Sequence, residues 1–362
     1  PAFAIKDSDF CIICVPTPLT KTLEPDLSYV ISAAETLTKF LNKGMFVILE
    51  STTYPGTTED VLVPILEKSG LKAGIDFGVA YSPERIDPGN KKYTIANTPK
   101  VVGGINTECT EIAAKLYSTI TRPVKVSSPR VAEMTKIVEN VFRAVNIALV
   151  NELAILSEKM KVDIWEVIEA ASTKPFGYMP FYPGPGVGGH CIPVDPFYLA
   201  WKAKEIGSST KFIELAGEIN RNMPQHVVDL VTLGLNKLKK SVNGSNIFIM
   251  GMAYKKDVND VRNSPMVTVA EKLDKLGARV KFNDDYVGNV RINDEIKVSS
   301  PIEEITYCDC LIMGVAHSYY DKERILSLLK DSTVVVDCVN YFSKHEVKGC
   351  LLYTSPSPRD RG

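Results

Sequence analysis

The sequence predicts an α/β fold: two Rossmann-like doubly wound domains joined by a long central helix and a helical domain. Three observations carry this. Strand-like apolar runs alternate with helix-periodic runs over the first part of the chain, and the same alternation returns after residue 245. Between them, residues 130 to 174 contain neither Gly nor Pro.

Phe10 to Val15 is a short apolar run stopped by Pro16 and Pro18, so it reads as a buried strand. Asp26 to Leu41 has helical periodicity and stops near Gly44. Phe46 to Leu49 reads as a second buried strand, Pro55 to Lys68 as a helix closed by Gly70, and Phe77 to Tyr81 and Lys100 to Val102 as further strands. This alternation implies a parallel sheet with helices on both faces. In the middle, Val131, Met134, Ile137, Val138, Val141, Phe142, Val145, Leu149, Leu153 and Leu156 recur at helical spacing over roughly eight turns. A helix of that length suits a domain connector and a subunit interface. Asp163 with Glu166 forms a capping-box-like start for the next helix. Later, Asn246 to Ala253, a helix opened by Ser264-Pro265, and Ala278 to Phe282 running into Asp284 and Asp285 form a Rossmann-like unit. Cys310 to Val315 and Thr333 to Cys338 add strands.

The expected division is 1–124, 125–222 and 223–350, with 351–362 as a tail foreign to the fold. A doubly wound domain is expected to open with a strand and a G-x-G-x-x-G turn. This sequence opens in what reads as a later helix-to-strand connection, and LLYTSPSPRDRG after Cys350 shows no periodicity.

Bulk properties narrow the function. A formal charge of -1 gives no footprint for nucleic acid or an anionic membrane. No run of about 18 apolar residues marks a membrane span. The eight cysteines are scattered with no zinc spacing, so no metal is expected, and reduced thiols in the cytoplasm are.

Five segments carry chemistry. PGPGVGGHCIPVDP, from Pro183 to Pro196, sets Cys191 at the end of a glycine-rich loop, where oriented amides lower a thiol's pKa and activate it as a nucleophile. A structural loop with an incidental thiol is the open alternative. Lys136 and Asn140, four apart, share a helix face with Glu133 and can handle the proton and oxygen of an alcohol being oxidised; a solvated helix charge is the alternative for Lys136. YSPERIDPGN puts Glu84 after a strand, at the edge where open sheets bind ligands. ESTTYPGT leads hydroxyls into a helix N-terminus, to hold a water, ribose or phosphate, or simply to cap the helix. AYKKDVNDVRNS offers Lys255, Lys256 and Arg262 to a nucleotide phosphate.

Together with CVPTPL and EMTKIVENVFRAVNIALVNE, these segments resemble the UDP-glucose/GDP-mannose dehydrogenase family, in order, over about residues 1 to 345. FYPGPGVGGHCIPVDPFYL most resembles the UDP-N-acetylglucosamine 6-dehydrogenase branch, which feeds bacterial surface polysaccharide synthesis. The resemblance implies an NAD domain, a helical dimer core and a UDP-gripping domain. It implies a four-electron oxidation of a UDP-sugar alcohol to the carboxylate, using two NAD in turn. Lys136, Asn140, Asp195 and a water would manage the first proton, and Cys191 would carry a thiohemiacetal and then a thioester. Glu84 would be the base for hydrolysis, with Thr53 placing the water. Thr17, Pro18, Thr53 and Arg262 would lie at the cofactor, and Tyr182, Gly186, Gly188, Gly189 and Lys255 at the substrate. Some branches carry a lysine just before the aspartate; Val194 stands there, so substrate contacts differ. Because the glycine turn has no counterpart, this chain alone is expected to bind NAD poorly and to be at risk of incomplete folding. A homodimer or higher homo-oligomer is expected, without nucleic acid or membrane. A two-electron β-hydroxyacid dehydrogenase relative and a non-catalytic UDP-sugar binding fragment are the competing readings.

Overall fold

Short apolar runs become strands; Phe46–Leu49 and Val334–Asp337 are buried along their whole length, whereas Phe10–Ile13, expected as a buried strand, lies at the end of its sheet with Phe10 and Ile12 exposed. The computed structural model describes residues 5–20, 22, 24–87, 90, 92–189, 192–342, 347 and 351–354. The chain divides into two units, Pro1–Phe142 with Val194–Glu214, and Arg143–Pro193 with Leu215–Gly362.

In the first unit, β1 (Phe10–Ile13), β2 (Phe46–Leu49), β3 (Gly78–Tyr81), β4 (Lys100–Gly104) and β5 (Pro123–Lys125) lie side by side in sequence order. Every residue of β2 is buried, as a central strand covered on both faces requires. On one face Val47, Leu49 and Val79 pack with Val30, Ala34, Leu62 and Leu66; α1 (Ser28–Thr38) supplies Val30 and Ala34. On the other, Phe46, Ile48 and Val102 pack against Cys109, Ala113 and Tyr117 of α2 (Thr107–Tyr117). Each fully buried aliphatic side chain contributes about 1.5–3 kcal/mol.

Two expectations are corrected here. The sheet is mixed: β3 and β4 pair antiparallel, Ala80 against Gly104, because no helical crossover occurs between them among the described residues. The segment read as one helix from Pro55 to Lys68 is a π turn at Thr58–Leu62, an α turn at Val63–Leu66 and a 3₁₀ turn at Glu67–Ser69. Pro64 has no N–H for the carbonyl of Asp60, and its ring crowds that carbonyl. The ladder shifts by one, and the Val63 amide donates to the Thr58 carbonyl.

The middle of the chain is helical. Helix α3 runs unbroken over Pro129–Met160, followed by α4 (Ile164–Ser172), α5 (Asp195–Glu205) and α6 (Lys211–Lys237). Asp163 caps α4 by accepting from the Trp165 amide. The faces of α3 are not the ones its apolar periodicity suggests. Ala132, Glu133, Lys136, Ile137, Asn140, Ala144, Ala148, Asn151 and Ala154 are buried at three- and four-residue spacing. Val131, Met134, Val138, Phe142, Leu149, Leu153, Leu156 and Met160 form an exposed stripe. By length and composition α3 is also apolar enough to cross a membrane, whereas no such span is expected from the sequence. Its buried charged and amide side chains, those of Glu133, Lys136, Asn140 and Asn151, are each bonded within the protein.

The second unit holds β6 (Asn246–Met250), β7 (Arg279–Asn283), an antiparallel hairpin of β8 (Asn289–Ile292) and β9 (Glu295–Val298), then β10 (Cys310–Met313), β11 (Val334–Asp337) and β12 (Leu351–Thr354). The main sheet runs β12-β11-β10-β6-β7, parallel throughout. Helix α7 (Pro265–Lys275), capped by Ser264, packs Val269, Ala270 and Leu273 on one face of it. Ile305 and Ile325 pack on the other, the latter from α8 (Lys322–Leu328). Leu351–Thr354, from the segment expected to be a tail foreign to the fold, forms a strand in register with β11, as a β-prone LLYT run beside VVVD permits. Strand order reverses between β6 and β10, so the loops after those strands, 251–264 and 314–320, flank the topological switch point.

Candidate active site

In the first unit the carboxyl ends of β1, β2 and β3 feed three loops that carry expected site residues. Lys136 and Asn140, one turn apart on the buried face of α3, both point inward. Lys136 is 7% exposed, and its Nζ donates to the Glu84 carbonyl at 2.5 Å, so it is not a solvated helix charge. Asn140 Nδ2 donates to Asp195 Oδ2, and both residues are buried. Asp195 is the first residue of α5, where a carboxylate is favoured by the helix dipole.

Glu84 follows β3 through Ser82-Pro83. Its Oε1 accepts from the Arg85 and Ile86 amides, each at 2.7 Å, and its Oε2 lies 3.6 Å from Lys100 Nζ. Lys100 is shared with Glu50 at 3.1 Å, and the Tyr117 hydroxyl donates to Glu50. The backbone and the carboxylate of Glu84 are thus tied to Lys136 and Lys100 respectively, while the Glu84 side chain stays 46% exposed. Arg85 is held by Glu139 at 2.6 Å.

Thr53 is fully buried, with its Oγ1 2.5 Å from Thr57 Oγ1. Glu133, which the helix spacing grouped with Lys136, accepts from the Gly56 amide at 2.6 Å, the Thr58 amide at 2.8 Å and the Thr58 hydroxyl at 2.7 Å. A protein carboxylate, rather than one of the segment's own hydroxyls, therefore takes the amides at the helix N-terminus that the sequence offered to a ribose or phosphate. Burial pushes the Glu133 carboxyl up, and the Thr58 and Gly56 bonds only partly offset this. The carbonyls of Thr17 and Pro18 accept from the buried Tyr198 hydroxyl of α5, at 2.6 and 3.3 Å.

Sequence reasoning missed Tyr81. Its hydroxyl is buried with no hydrogen-bond partner among the described residues. Burial and the carboxylates of Glu133, Asp195 and Glu50 hold the phenol well above its ordinary pKa, so it remains an O–H donor. Its one sequence signal was its place at a strand end before Ser82.

In the second unit, Cys191 and His190 lie outside the described residues. The loop before them is anchored at both ends. The Gly184 amide donates to Asn151 Oδ1 at 3.0 Å, Asn151 Nδ2 donates to Asn220 at 3.0 Å, and Asn220 donates to the Ala144 carbonyl. At the other end the Gly189 amide donates to the Arg262 carbonyl, and Asn263 Nδ2 to the Gly189 carbonyl, each at 2.9 Å. A Cβ on Gly188 would lie 2.6 Å from Tyr254 Cβ, and one on Gly186 3.1 Å from the Asn220 carbonyl. These glycines permit close packing on the protein itself. Tyr182 is half exposed and stacks on Trp165 at 5.8 Å. Lys255 is part-buried on the 251–264 loop. Arg262 is exposed there, its guanidinium held by Asp260 with Nη2 at 2.6 Å.

The chain matches three profiles of one family: the NAD binding domain of the UDP-glucose/GDP-mannose dehydrogenase family over residues 2–121, its central domain over 130–222 and its UDP binding domain over 248–344. It is 40% identical to protein CapL of Staphylococcus aureus over 349 residues, which is 95% of this chain and 82% of that one. It is 38% identical to the UDP-N-acetyl-D-glucosamine 6-dehydrogenase of Salmonella typhi, over 92% of this chain and 80% of that one. A solved UDP-D-ManNAc dehydrogenase from Pyrococcus horikoshii is similar in structure, with a TM-score of 0.89 and 32% identity over 99% of this chain and 83% of that one. The α/β architecture and the order of these matches agree, and the chain belongs to the UDP-glucose/GDP-mannose dehydrogenase family.

Proposed function

We propose that this chain oxidises the primary alcohol of a UDP-N-acetylhexosamine, with UDP-N-acetylglucosamine first, to the UDP-uronic acid, for surface polysaccharide synthesis. The observation that carries it is the buried polar face of α3, where Lys136 binds the Glu84 carbonyl and Asn140 binds Asp195. A soluble fold buries a lysine and an aspartate at a cost, and active sites are where that cost recurs.

The reaction is a four-electron oxidation. NAD, when bound, takes up the hydride at each of the two oxidations. At the alcohol, Lys136, Asn140 and Asp195 hold the departing proton and the developing charge on oxygen with a water. The Cys191 thiolate adds to the aldehyde carbon, and that carbon is oxidised to the thioester. Water then releases the carboxylate and frees the thiol, with Glu84 accepting a proton and Thr53 positioning the water. Holding the aldehyde on sulfur prevents its escape between the two oxidations.

The residues fit the cofactor in part. Thr17, Pro18 and Thr53 are assigned to the cofactor from their place at the carboxyl ends of parallel strands; the Thr17 and Pro18 carbonyls are engaged by Tyr198 and the Thr53 hydroxyl by Thr57. The Thr58 helix start, already filled by Glu133, does not suit a pyrophosphate. Arg262 is assigned to the cofactor's phosphates, and Tyr182, Gly186, Gly188, Gly189 and Lys255 to the UDP-sugar. Residues 1–124, 125–222 and 223–350 are the corresponding NAD, helical and UDP-binding portions, a division supported by the ranges of the three family matches. The exposed stripe from Val131 to Met160 supports a homodimer or higher assembly, which light scattering tests; a monomer at high concentration would refute it. Free thiols at Cys11, Cys14, Cys109, Cys308, Cys310 and Cys338 suit the cytoplasm.

Lys136→Ala tests the reading. NADH formation should fall by about 10²- to 10⁴-fold in kcat, as loss of a general acid–base group does. An unchanged kcat would remove Lys136 from the chemistry.

A further inference from the structure

The second unit contains a buried histidine that none of these roles uses. His317 is 1% exposed and lies in the loop after β10. Its Nδ1 accepts from the Asp257 amide at 2.9 Å, so the proton sits on Nε2, which donates to Asp284 Oδ2 at 3.1 Å. Asp257 answers from the loop after β6: its carboxylate accepts from the Ser318 amide at 2.8 Å and the Ser318 hydroxyl at 2.5 Å. Asp284, fully buried at the end of β7, also takes the Met252 and Ala253 amides at 2.8 and 3.0 Å. The imidazole stacks on Tyr319 at 5.4 Å and meets the edge of Tyr320 at 5.6 Å.

These bonds tie together the two loops that flank the switch point of the sheet. The loop they fix is the one that holds the glycine loop, through Tyr254 against Gly188, the Arg262 carbonyl on the Gly189 amide, and Asn263 on the Gly189 carbonyl. Asp257 itself sits at a φ of +59°, a left-handed backbone state uncommon in residues with a side chain.

We propose that His317 is a positioning residue for UDP-sugar binding: as acceptor for the Asp257 amide it sets the 251–264 loop, and through it the glycine loop before Cys191. The proposal rests on the reading that these two loops grip the UDP-sugar.

Two substitutions separate positioning from packing. Asparagine places its amide at the reach of Nδ1 and keeps an acceptor for Asp257. Glutamine reaches Asp284 and loses that acceptor. The experiment is calorimetric titration of the full chain with UDP, beside thermal melting of each variant and Lys255→Ala as control. His317→Gln should weaken UDP binding about tenfold, equivalent to about 1.4 kcal/mol, and His317→Asn by less than about threefold. If His317→Gln yields no folded protein, Ser318→Ala removes only the outer bond and should weaken UDP about threefold. Equal losses in the Asn and Gln variants that track their melting temperatures would overturn the proposal, as would unchanged affinity in the Gln variant. If Lys255→Ala weakens UDP while His317→Gln does not, the inference alone fails. If neither does, the nucleotide reading of the loop fails with it.

Discussion

Glu133→Ala should be among the most damaging single changes in the first unit. The carboxylate is buried and receives three hydrogen bonds, from the Gly56 amide, the Thr58 amide and the Thr58 hydroxyl. Truncation leaves two backbone N–H groups and a hydroxyl buried without partners, at about 1–3 kcal/mol each. The full sum overstates the effect. Burial raises the Glu133 pKa, so holding the charge already costs part of what the bonds supply. The expected net loss is about 3–5 kcal/mol for alanine. Glutamine keeps one acceptor but turns an NH₂ toward a backbone donor, for about 1–3 kcal/mol. The assay is urea unfolding followed by the fluorescence of Trp201, whose ring lies 5.0 Å from Tyr54 in the same unit, in a Trp165→Phe background. The sign with pH is also fixed. A carboxyl with a raised folded-state pKa stabilises most while protonated, and that contribution falls as pH rises through the folded value. The alanine cost should therefore not grow from pH 5 to pH 8. A loss below about 1 kcal/mol, the range of an exposed pair, would refute the reasoning.

Two further outcomes follow from the second unit. Burial raises the Asp284 carboxyl, but the His317 bond and the Met252 and Ala253 amides outweigh it and leave it below the ordinary aspartate range. Its stabilisation is present above the unfolded value of about 3.9 and is lost as pH falls through the folded one. Asp284→Asn should flatten the decline of melting temperature below about pH 4, and an unchanged slope would contradict the assignment. Gly188→Ala puts a methyl 2.6 Å from Tyr254 Cβ and should cost about 1–3 kcal/mol by thermal melting, whereas Gly184→Ala, whose Cβ meets nothing within 4 Å, should leave the packing undisturbed.

The parallel strands were legible because buried central strands read as unbroken apolar runs, as FVIL and VVVD do. The β8–β9 hairpin was not, although Asn293 at a φ of +50° marks its turn, because neither strand reads as an apolar run. Periodicity found the length of α3 and misassigned its faces, since large apolar residues normally mark the buried side. Here alanines and bonded polar groups are buried, and the large side chains are outside. The pairing of Lys136 with Asn140 was readable from i,i+4 spacing alone. Their partners, the Glu84 carbonyl and Asp195, lie 52 and 55 residues away and became neighbours only through the fold. His317 carried no local signal at all, because its partners Asp257 and Asp284 come from the segments after β6 and β7, 60 and 33 residues away.

The most direct test of the proposed oxidation is NADH counted at 340 nm per mole of UDP-N-acetylglucosamine consumed, with the manno epimer and UDP-glucose alongside, for wild type and Cys191→Ser. The account requires two NADH per sugar in the wild type and stalled or single turnover in the serine variant. One NADH per sugar, unchanged by Cys191→Ser, would contradict the thioester route and leave a two-electron dehydrogenase.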